Sequence, residues 1–266
     1  MVIEKELNLV KKYIKDKFLD PLPNKILESF ILNNSKFIRS KVTILYLKSL
    51  NIELTDNIYK ILSSGEIIHS ASLLHDDVID SASTRRNKTT IAKEYSSHIS
   101  ILSGDFLLAY GIEKLLEIGN FTILNSFKNC TQKMAEAEIK QYFLRGKVPE
   151  LNEYYEICKN KTALLFSTIL ENCANLAKID IEKAKSFGEL FGIAFQINND
   201  LNKESANNDK QNKLYTASEI LGIEKTYNLL DNYNARLNNI IADLPENNYK
   251  EELRGLINSL CLIKKN

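Results

Sequence analysis

Residues that break helices are scarce in this chain of 266 residues, which contains nine glycines and four prolines. The long stretches between them are rich in Leu, Ile, Lys, Glu, Asn and Ala, among which strong helix formers dominate. No run of alternating β-branched residues is flanked by hairpin turns, and nothing resembles a linker. The sequence therefore predicts an all-α protein with a single domain over residues 1–266.

The predicted helices are separated by short polar or proline-containing connections. They cover residues 3–18, 24–50, 56–80, 92–117, 121–145, 151–177, 181–203, 217–242 and 247–264. Residues 81–90 and 204–216 are polar and are predicted as loops, the second of them as a lid.

The overall charge and hydropathy exclude some partners. The formal net charge is +1 and the positive residues are scattered, so binding to nucleic acid is not expected. No apolar run approaches the roughly 20 residues of a membrane span, and the charged N-terminal residues do not resemble a signal peptide. The four cysteines form no CxxC pair, which indicates reduced thiols. We therefore expect a cytoplasmic protein without a transmembrane segment.

Residues 65–80 combine an apolar helix with one polar face. Apolar side chains cover most of the predicted circumference, so the helix is expected to run through a core. These side chains are Ile67, Ile68, Ala71, Leu73, Leu74, Val78 and Ile79. The polar residues follow at spacings of four, three, four and four, which places them on one helical face. They are Gly65, His69, Ser72, Asp76 and Asp80, with Asp77 beside the last two.

The acidic end of this face requires a cation, because like charges four residues apart repel and buried unpaired carboxylates are strongly destabilising. Mg2+ binds one or two carboxylates and completes its shell with water and substrate phosphates. Arg85 and Arg86 follow directly, and their forked donors suit phosphate oxygens. A DDxxD string alone is common on solvated helix ends, but His69 and the arginine pair favour a diphosphate site.

The predicted helix 181–203 repeats this pattern of one polar stripe on an apolar helix. The stripe consists of Gly192, Gln196, Asn199 or Asp200, and Lys203. Two buried helices with inward polar faces can enclose one cavity, as an active site in a helical bundle requires.

Two further signals are weaker by themselves. Lys36 and Arg39 lie three residues apart in the predicted helix 24–50, so both are expected on one face, where basic pairs are usually solvated. Lys161 and Thr162 precede an apolar run and are predicted as the entry turn of a helix. Neither pair indicates a functional site by itself, and each supports one only together with the acidic motif.

Taken together, these residues resemble the trans-isoprenyl diphosphate synthases of the polyprenyl synthetase family, over nearly the whole chain. The anchors are Lys36-x-x-Arg39, His69 ahead of LLHDDVID, Arg85-Arg86, Gly104-Asp105-Phe106, Met134-Ala135-Glu136, Lys161-Thr162 and Phe195-Gln196-Ile197. Several ordered motifs are more specific than any one of them. The resemblance implies an isoprenoid-synthase bundle around a deep central cavity, usually a homodimer, that condenses isopentenyl diphosphate with an allylic diphosphate.

The resemblance also implies roles for individual residues. Mg2+, roughly two to three ions per site, would be held by Asp76, Asp77, Asp80 and Asp200. Isopentenyl diphosphate would be bound by Lys36, Arg39, His69 and Arg86. The allylic diphosphate would be bound by Arg85, Lys161, Thr162, Gln196, Lys203 and Lys213. Of these, Lys161, Thr162 and Gln196 would be catalytic, the last two as weak dipoles facing an allylic cation.

In this family, the residues of the cavity wall below the first acidic motif limit the length of the product. Small residues at Ala71 and Ser72 resemble members that leave this floor open, whereas an aromatic side chain there stops elongation early. We therefore predict a medium- to long-chain all-trans polyprenyl diphosphate, of the kind used for quinone side chains.

The chain departs from the family pattern in its second acidic motif, where Asn199 and Lys203 replace expected carboxylates and Asp200 survives. The Gly-rich approach to Lys36 is also missing, and Ser40 stands where Pro is usual. These changes keep alternatives open: a noncatalytic or weakly active subunit of a heteromeric synthase, a short-chain synthase, or a terpene cyclase or head-to-head condensing enzyme. The retained isopentenyl diphosphate residues argue against the last of these.

Overall fold

The computed structural model describes residues 2–15, 27, 29–33, 35–85, 88–202 and 212–261. Its helices are α1 (Glu4–Lys15), α2 (Ile38–Ser49), α3 (Asp56–Ile79), α4 (Ile91–Glu94), α5 (Ser97–Leu116), α6 (Phe121–Phe143), α7 (Leu151–Ile157), α8 (Leu164–Ala177), α9 (Ile181–Leu201), α10 (Ala217–Leu221), α11 (Ile223–Ala242) and α12 (Asn248–Ser259). Two π-helical turns lie at Ser29–Asn33 and Cys158–Ala163. The predicted all-α fold is confirmed.

One small sheet was not predicted. Strands β1 (Thr84–Arg85) and β2 (Lys88–Thr89) pair antiparallel within the segment 81–90 that the sequence indicated as a plain loop. Two residues per strand carry too little periodicity to be recognised in a sequence. The hairpin matters because it contains Arg85.

Several predicted helices are divided by local features. The stretch 92–117 is split before α5 because the Ser96 side chain accepts a hydrogen bond from the Ile99 amide and caps that helix. Gly222, with φ of 85°, separates α10 from α11. Phe37, with φ of 50°, directly precedes α2, and the stretch 151–177 contains the π turn Cys158–Ala163.

The chain forms two compact units, one from residues 1–44 and 54–124 and the other from residues 45–53 and 125–266. The division falls within α2 and α6, so each of these helices contributes residues to both units. We describe each unit by itself. The single domain expected from the sequence stays a prediction, as does the single cavity expected to receive both polar stripes.

In the first unit, α3 packs along α5 and also contacts α1 and α4. Gly111 allows the close approach of α5, because a Cβ atom there would lie 2.9 Å from Cγ1 of Ile68. The Tyr110 hydroxyl donates to the carbonyl oxygen of Ile14, at 3.0 Å, and ties α5 to α1. The predicted course of α3 through a core is confirmed.

In the second unit, α9 packs against α8, α11 and the π turn Cys158–Ala163. Aromatic rings fill the space around it, and the Phe187 ring stacks on Tyr46 with centroids 4.9 Å apart. Gly188 and Gly192 permit the close contact, since a Cβ at Gly188 would lie 2.7 Å from the Cα of Ser167. None of the described helices has both the length and the apolar character needed to cross a membrane.

Candidate functional site

The polar stripe of α3 ends in two partly exposed aspartates. Asp76 lies in the last turn of the helix, and Asp80 caps it, its backbone amide donating to the Asp76 carbonyl oxygen at 2.8 Å. His69 on the same stripe is also partly exposed, while Ile67, Ile68 and other apolar residues are buried. The helix therefore buries most of its apolar side chains, although Ile79 at its C-terminal end is exposed, and it leaves the polar strip partly accessible.

Asp77 is placed differently from the other two aspartates. Its side chain is buried and its Oδ1 accepts a hydrogen bond of 2.7 Å from Nε of Arg85. Burial raises the pKa of Asp77 above its ordinary value, while the Arg85 guanidinium lowers it and the charge of Asp80 raises it further. The sequence grouped Asp77 with the metal ligands, but the structure directs its carboxylate to Arg85.

Helix α5 braces the acidic end of α3. The Ser100 hydroxyl donates to the Leu74 carbonyl oxygen at 2.9 Å, and Nε2 of His75 lies 3.2 Å from Oδ1 of Asp105. The His75 ring packs onto Gly104, where a Cβ atom would lie 2.3 Å from Nε2. These contacts give a structural reason for the Gly104-Asp105 motif.

The basic residues near α2 are not on a shared helical face. Lys36 is exposed in the non-helical segment 35–37, whereas Arg39 lies in α2 and is buried, so the expectation of a common face is wrong. Lys36 lines a pocket of about 350 Å3 together with Lys11 and Lys41.

Glu66 holds the first turn of α2. Its Oε1 accepts hydrogen bonds from the amide and the hydroxyl of Ser40, at 2.9 and 2.8 Å. Proline at position 40 has no amide hydrogen for the first of these bonds. The amide and hydroxyl of Ser40 are therefore both engaged by a buried carboxylate that the sequence did not single out.

A hard divalent ion fits only part of the predicted metal set. Among the described residues, no group of three His, Cys, Asp or Glu side chains is arranged to hold a metal ion. Asp76 and Asp80, one turn apart and partly exposed, supply the one or two carboxylates that Mg2+ takes when phosphate completes its shell. The assignment of these two aspartates to Mg2+ stays a prediction.

The residues predicted to limit product length lie on α3. Ala71 is buried, and Ser72 is partly exposed with its hydroxyl donating to the His69 carbonyl oxygen at 2.8 Å. Their role stays a prediction. Arg86 and Lys203, which the sequence assigned to diphosphate binding, lie outside the described residues.

In the second unit, the Lys161-Thr162 pair lies in the π turn Cys158–Ala163, which leads directly into α8 at Leu164. The predicted position of the pair at the entry to a helix is confirmed, and its π geometry was not predicted. Gly192 brings this turn against α9, because a Cβ there would lie 2.4 Å from the Cα of Ala163. The close approach places the Thr162 hydroxyl 2.9 Å from Oε1 of Gln196. The two residues that the sequence paired as weak dipoles are thus in direct contact.

Asp200 lies one turn after Gln196 on α9 and is buried, with 3% of the residue exposed. Its Oδ1 accepts from Nε2 of Gln196 at 2.8 Å. Its Oδ2 accepts from the Tyr154 hydroxyl at 2.7 Å and from the Ala217 amide at 2.8 Å. Burial raises the pKa of Asp200, and these three hydrogen bonds oppose that rise.

Lys161 is partly buried and contacts two residues of α6. Its ammonium forms an ion pair with Glu138 and donates to Oε1 of Gln141 at 2.7 Å. Lys213 has a left-handed backbone with φ of 57°, and its carbonyl oxygen accepts from the Gly146 amide at 2.8 Å. The predicted contacts of both lysines with substrate stay predictions.

Sequence reasoning missed the partners of the predicted residues. No role was predicted from the sequence for Glu138, Gln141, Tyr154 or Glu66. None of these carries a motif, since their contacts with Lys161, Asp200 and Ser40 join residues 20 to 46 positions apart. Periodicity within one helix does not reveal such pairs.

Comparison with known proteins gives one family match. The polyprenyl synthetase family model matches residues 20–246. A prenyl transferase of Cyanidium caldarium is 29% identical over 231 residues, covering 83% of this chain and 68% of that protein. A decaprenyl-diphosphate synthase of Dictyostelium discoideum is 31% identical over 206 residues, which cover 76% of this chain but only 45% of that protein.

A solved structure shares the fold. The polyprenyl synthase from Caulobacter crescentus, complexed with calcium and isoprenyl diphosphate, is 23% identical and superposes with a TM-score of 0.88. The superposition covers 98% of this chain and 95% of the other.

Proposed function

The chain belongs to the polyprenyl synthetase family, and from that membership we propose that it is a prenyltransferase. It condenses isopentenyl diphosphate with an allylic diphosphate to give a medium- to long-chain all-trans polyprenyl diphosphate. The observation that carries the proposal is the α3 stripe, on which Asp76 and Asp80 stay partly exposed at the end of an otherwise buried helix. Two carboxylates one helical turn apart and accessible to solvent suit a divalent cation whose shell is completed by phosphate.

Asp76 and Asp80 are the residues that would hold Mg2+. When bound, the ion neutralises charge on the leaving diphosphate and so favours cleavage of the carbon–oxygen bond. The Caulobacter crescentus neighbour, complexed with calcium and isoprenyl diphosphate, supports a divalent ion with this class of ligand. Arg85 adds positive charge beside the acidic turn, and Asp77 fixes its Nε.

The second unit supplies uncharged dipoles. The Thr162 hydroxyl and the Gln196 amide oxygen can stabilise an allylic cation without attacking it, since neither is an activated nucleophile. The buried thiols of Cys158 and Cys173 are not nucleophiles either, because burial raises the pKa of each and keeps both protonated. The double bond of isopentenyl diphosphate is the nucleophile, and the released diphosphate accepts the final proton.

Lys36, Arg39 and His69 are proposed to bind isopentenyl diphosphate, as in the family. Ser40 and Glu66 support the first turn of α2, where Arg39 lies. We also propose that the active form is a homodimer, which light scattering of the purified protein tests directly.

The direct test is an assay of the purified chain with labelled isopentenyl diphosphate, Mg2+ and geranyl, farnesyl or geranylgeranyl diphosphate, followed by product sizing. We expect elongation with at least one primer, and loss of turnover when Mg2+ is chelated. No elongation with any primer contradicts the proposal. If a second protein restores it, the chain is instead a weakly active subunit, a function favoured by the engagement of Asp200 with three protein donors.

Product length has its own test at the proposed floor. Ser72 is partly exposed on α3, so Ser72→Phe is expected to shorten the product with a minor effect on stability. Ala71→Phe is expected to shorten it as well, but overpacking at this buried position costs about 1–3 kcal/mol. An unchanged product length in both folded variants removes these residues from the wall.

A further inference from the structure

Asp200 is the surviving aspartate of the second acidic motif, and its surroundings differ from those of a metal ligand. A carboxylate accepts hydrogen bonds and cannot donate them when ionised. Both oxygens of Asp200 are engaged: Oδ1 by Gln196, and Oδ2 by Tyr154 and Ala217. With 3% of the residue exposed, a metal ion would have to displace protein donors to reach it.

The carboxylate fixes the orientation of the Gln196 amide. Because Asp200 only accepts, the amino end of the Gln196 side chain must face it, and the carbonyl end must face Thr162. This conclusion follows from the chemistry of the pair and does not depend on telling oxygen from nitrogen. The amide dipole therefore has one allowed direction.

The orientation of the Gln196 amide in turn fixes the direction of the Thr162 hydroxyl proton. That hydroxyl has one proton, and it donates to Oε1 of Gln196 at 2.9 Å. Its oxygen can then offer only lone pairs to any further partner. A buried acceptor thus sets the polarity of two side chains, one of them four residues away on α9 and the other in the π turn.

We propose that Asp200 is a positioning residue that orients Gln196 and Thr162 with their oxygens as acceptors, and that it is not a metal ligand in this chain. The inference rests on the proposed prenyl transfer for its catalytic meaning. Its structural content, the direction of the amide, stands independently.

Asp200→Asn tests the orientation with little change of shape. The asparagine oxygen is best placed at the former Oδ2, where it accepts from Tyr154 and Ala217, so its amino group faces Gln196. Two amino groups cannot pair, and the Gln196 amide must turn over. We expect turnover to fall by about 100-fold, with an unchanged half-saturating Mg2+ concentration and unchanged affinity for magnesium pyrophosphate by calorimetry.

A readout without substrate or metal is the side-chain amino signal of Gln196 in NMR spectra, assigned by its loss in Gln196→Met. In the unsubstituted chain we expect slow exchange and a position typical of a bond to carboxylate, and in Asp200→Asn a clear displacement. Tyr154→Phe removes one donor from Oδ2 but leaves the bond to Gln196, so the signal should stay and turnover should fall less than tenfold.

Two results overturn the proposal. One is a tenfold or larger loss of Mg2+ affinity in Asp200→Asn, with turnover restored by added Mg2+, which identifies a metal ligand. The other is an unchanged Gln196 signal in Asp200→Asn. If the unsubstituted chain shows no turnover with any substrate pair, the proposed function fails, and the NMR comparison still decides the role of Asp200.

Discussion

Helices α3 and α9 carry the same sequence pattern and use it differently. Each presents one polar stripe on an otherwise apolar circumference. On α3 the stripe ends in Asp76 and Asp80, which are partly exposed. On α9 it ends in Asp200, which is buried under donors from Tyr154, Gln196 and Ala217. Periodicity identifies a polar stripe, but packing against other elements decides how deeply its side chains are buried.

Each of these carboxylates lies where negative charge is unfavourable and therefore requires a stabilising donor or cation. Asp76, Asp80 and Asp200 all lie near the C-terminal end of their helices, where the macrodipole disfavours negative charge. Asp200 is stabilised by neutral donors of its own unit, and Asp77 by the guanidinium of Arg85. For Asp76 and Asp80, the Mg2+ ion proposed above would add further positive charge.

The largest effect is expected from neutralising the two partly exposed aspartates of α3. Asp76→Asn and Asp80→Asn should each lower turnover by about 100- to 1,000-fold, because the proposed diphosphate–metal interaction would be lost. Unfolding free energy should change by less than about 0.5 kcal/mol, since both side chains are partly exposed. Asp105→Asn on α5 is the control, and an equal loss of turnover there would remove the special status of the stripe.

Arg85 should matter more for stability than its partly exposed position suggests. Arg85→Ala leaves the buried Asp77 carboxylate without its ion-pair partner and should cost about 3 kcal/mol of unfolding free energy, measured with denaturant. Adding Asp77→Asn should recover part of this loss, because an amide tolerates burial better than a charge. Additive losses in the double variant would show that the pair is not coupled.

Close packing around Gly192 gives the next effect. Gly192→Ala places a Cβ 2.4 Å from the Cα of Ala163, so the π turn must move away from α9. We expect a loss of about 2 kcal/mol from overpacking, together with reduced turnover as Thr162 leaves Gln196. Gly255→Ala on α12 meets open space and should instead stabilise by about 0.5–1 kcal/mol. Thermal unfolding of both variants makes the comparison.

The smallest effect concerns pH. The folded-state pKa of Asp200 is raised by burial, so the folded chain keeps this proton to a higher pH than the unfolded chain does. Unfolding free energy therefore contains a contribution that falls as pH rises from the ordinary aspartate pKa through the folded pKa. Asp200→Asn lacks this contribution, and its stability should decline less over that range. An identical pH slope in both proteins would contradict the raised pKa.

The fold class, the family and several candidate site residues could be predicted from the sequence alone. The scarcity of Gly and Pro and the helical periodicity fixed the fold class and the course of α3, because these signals are local and repeat every turn. The motifs also identified the family and brought forward Thr162, Gln196 and the aspartates of α3. The positions of Asp76 and Asp80 on one strip follow from their spacing.

Tertiary structure decided what each of those residues faces. In the folded chain Asp77 accepts a hydrogen bond from Arg85, and Lys36 precedes α2 instead of lying in it. Thr162 lies in a π turn, and Asp200 is surrounded by hydrogen-bond donors. The hydrogen bonds from Tyr154 and Ala217 to Asp200 join residues far apart in the chain, and the small volume of Gly192 allows the π turn to approach α9 closely. Helical periodicity specifies the direction of a side chain, whereas its burial and hydrogen-bond partners are set by the elements that pack against it.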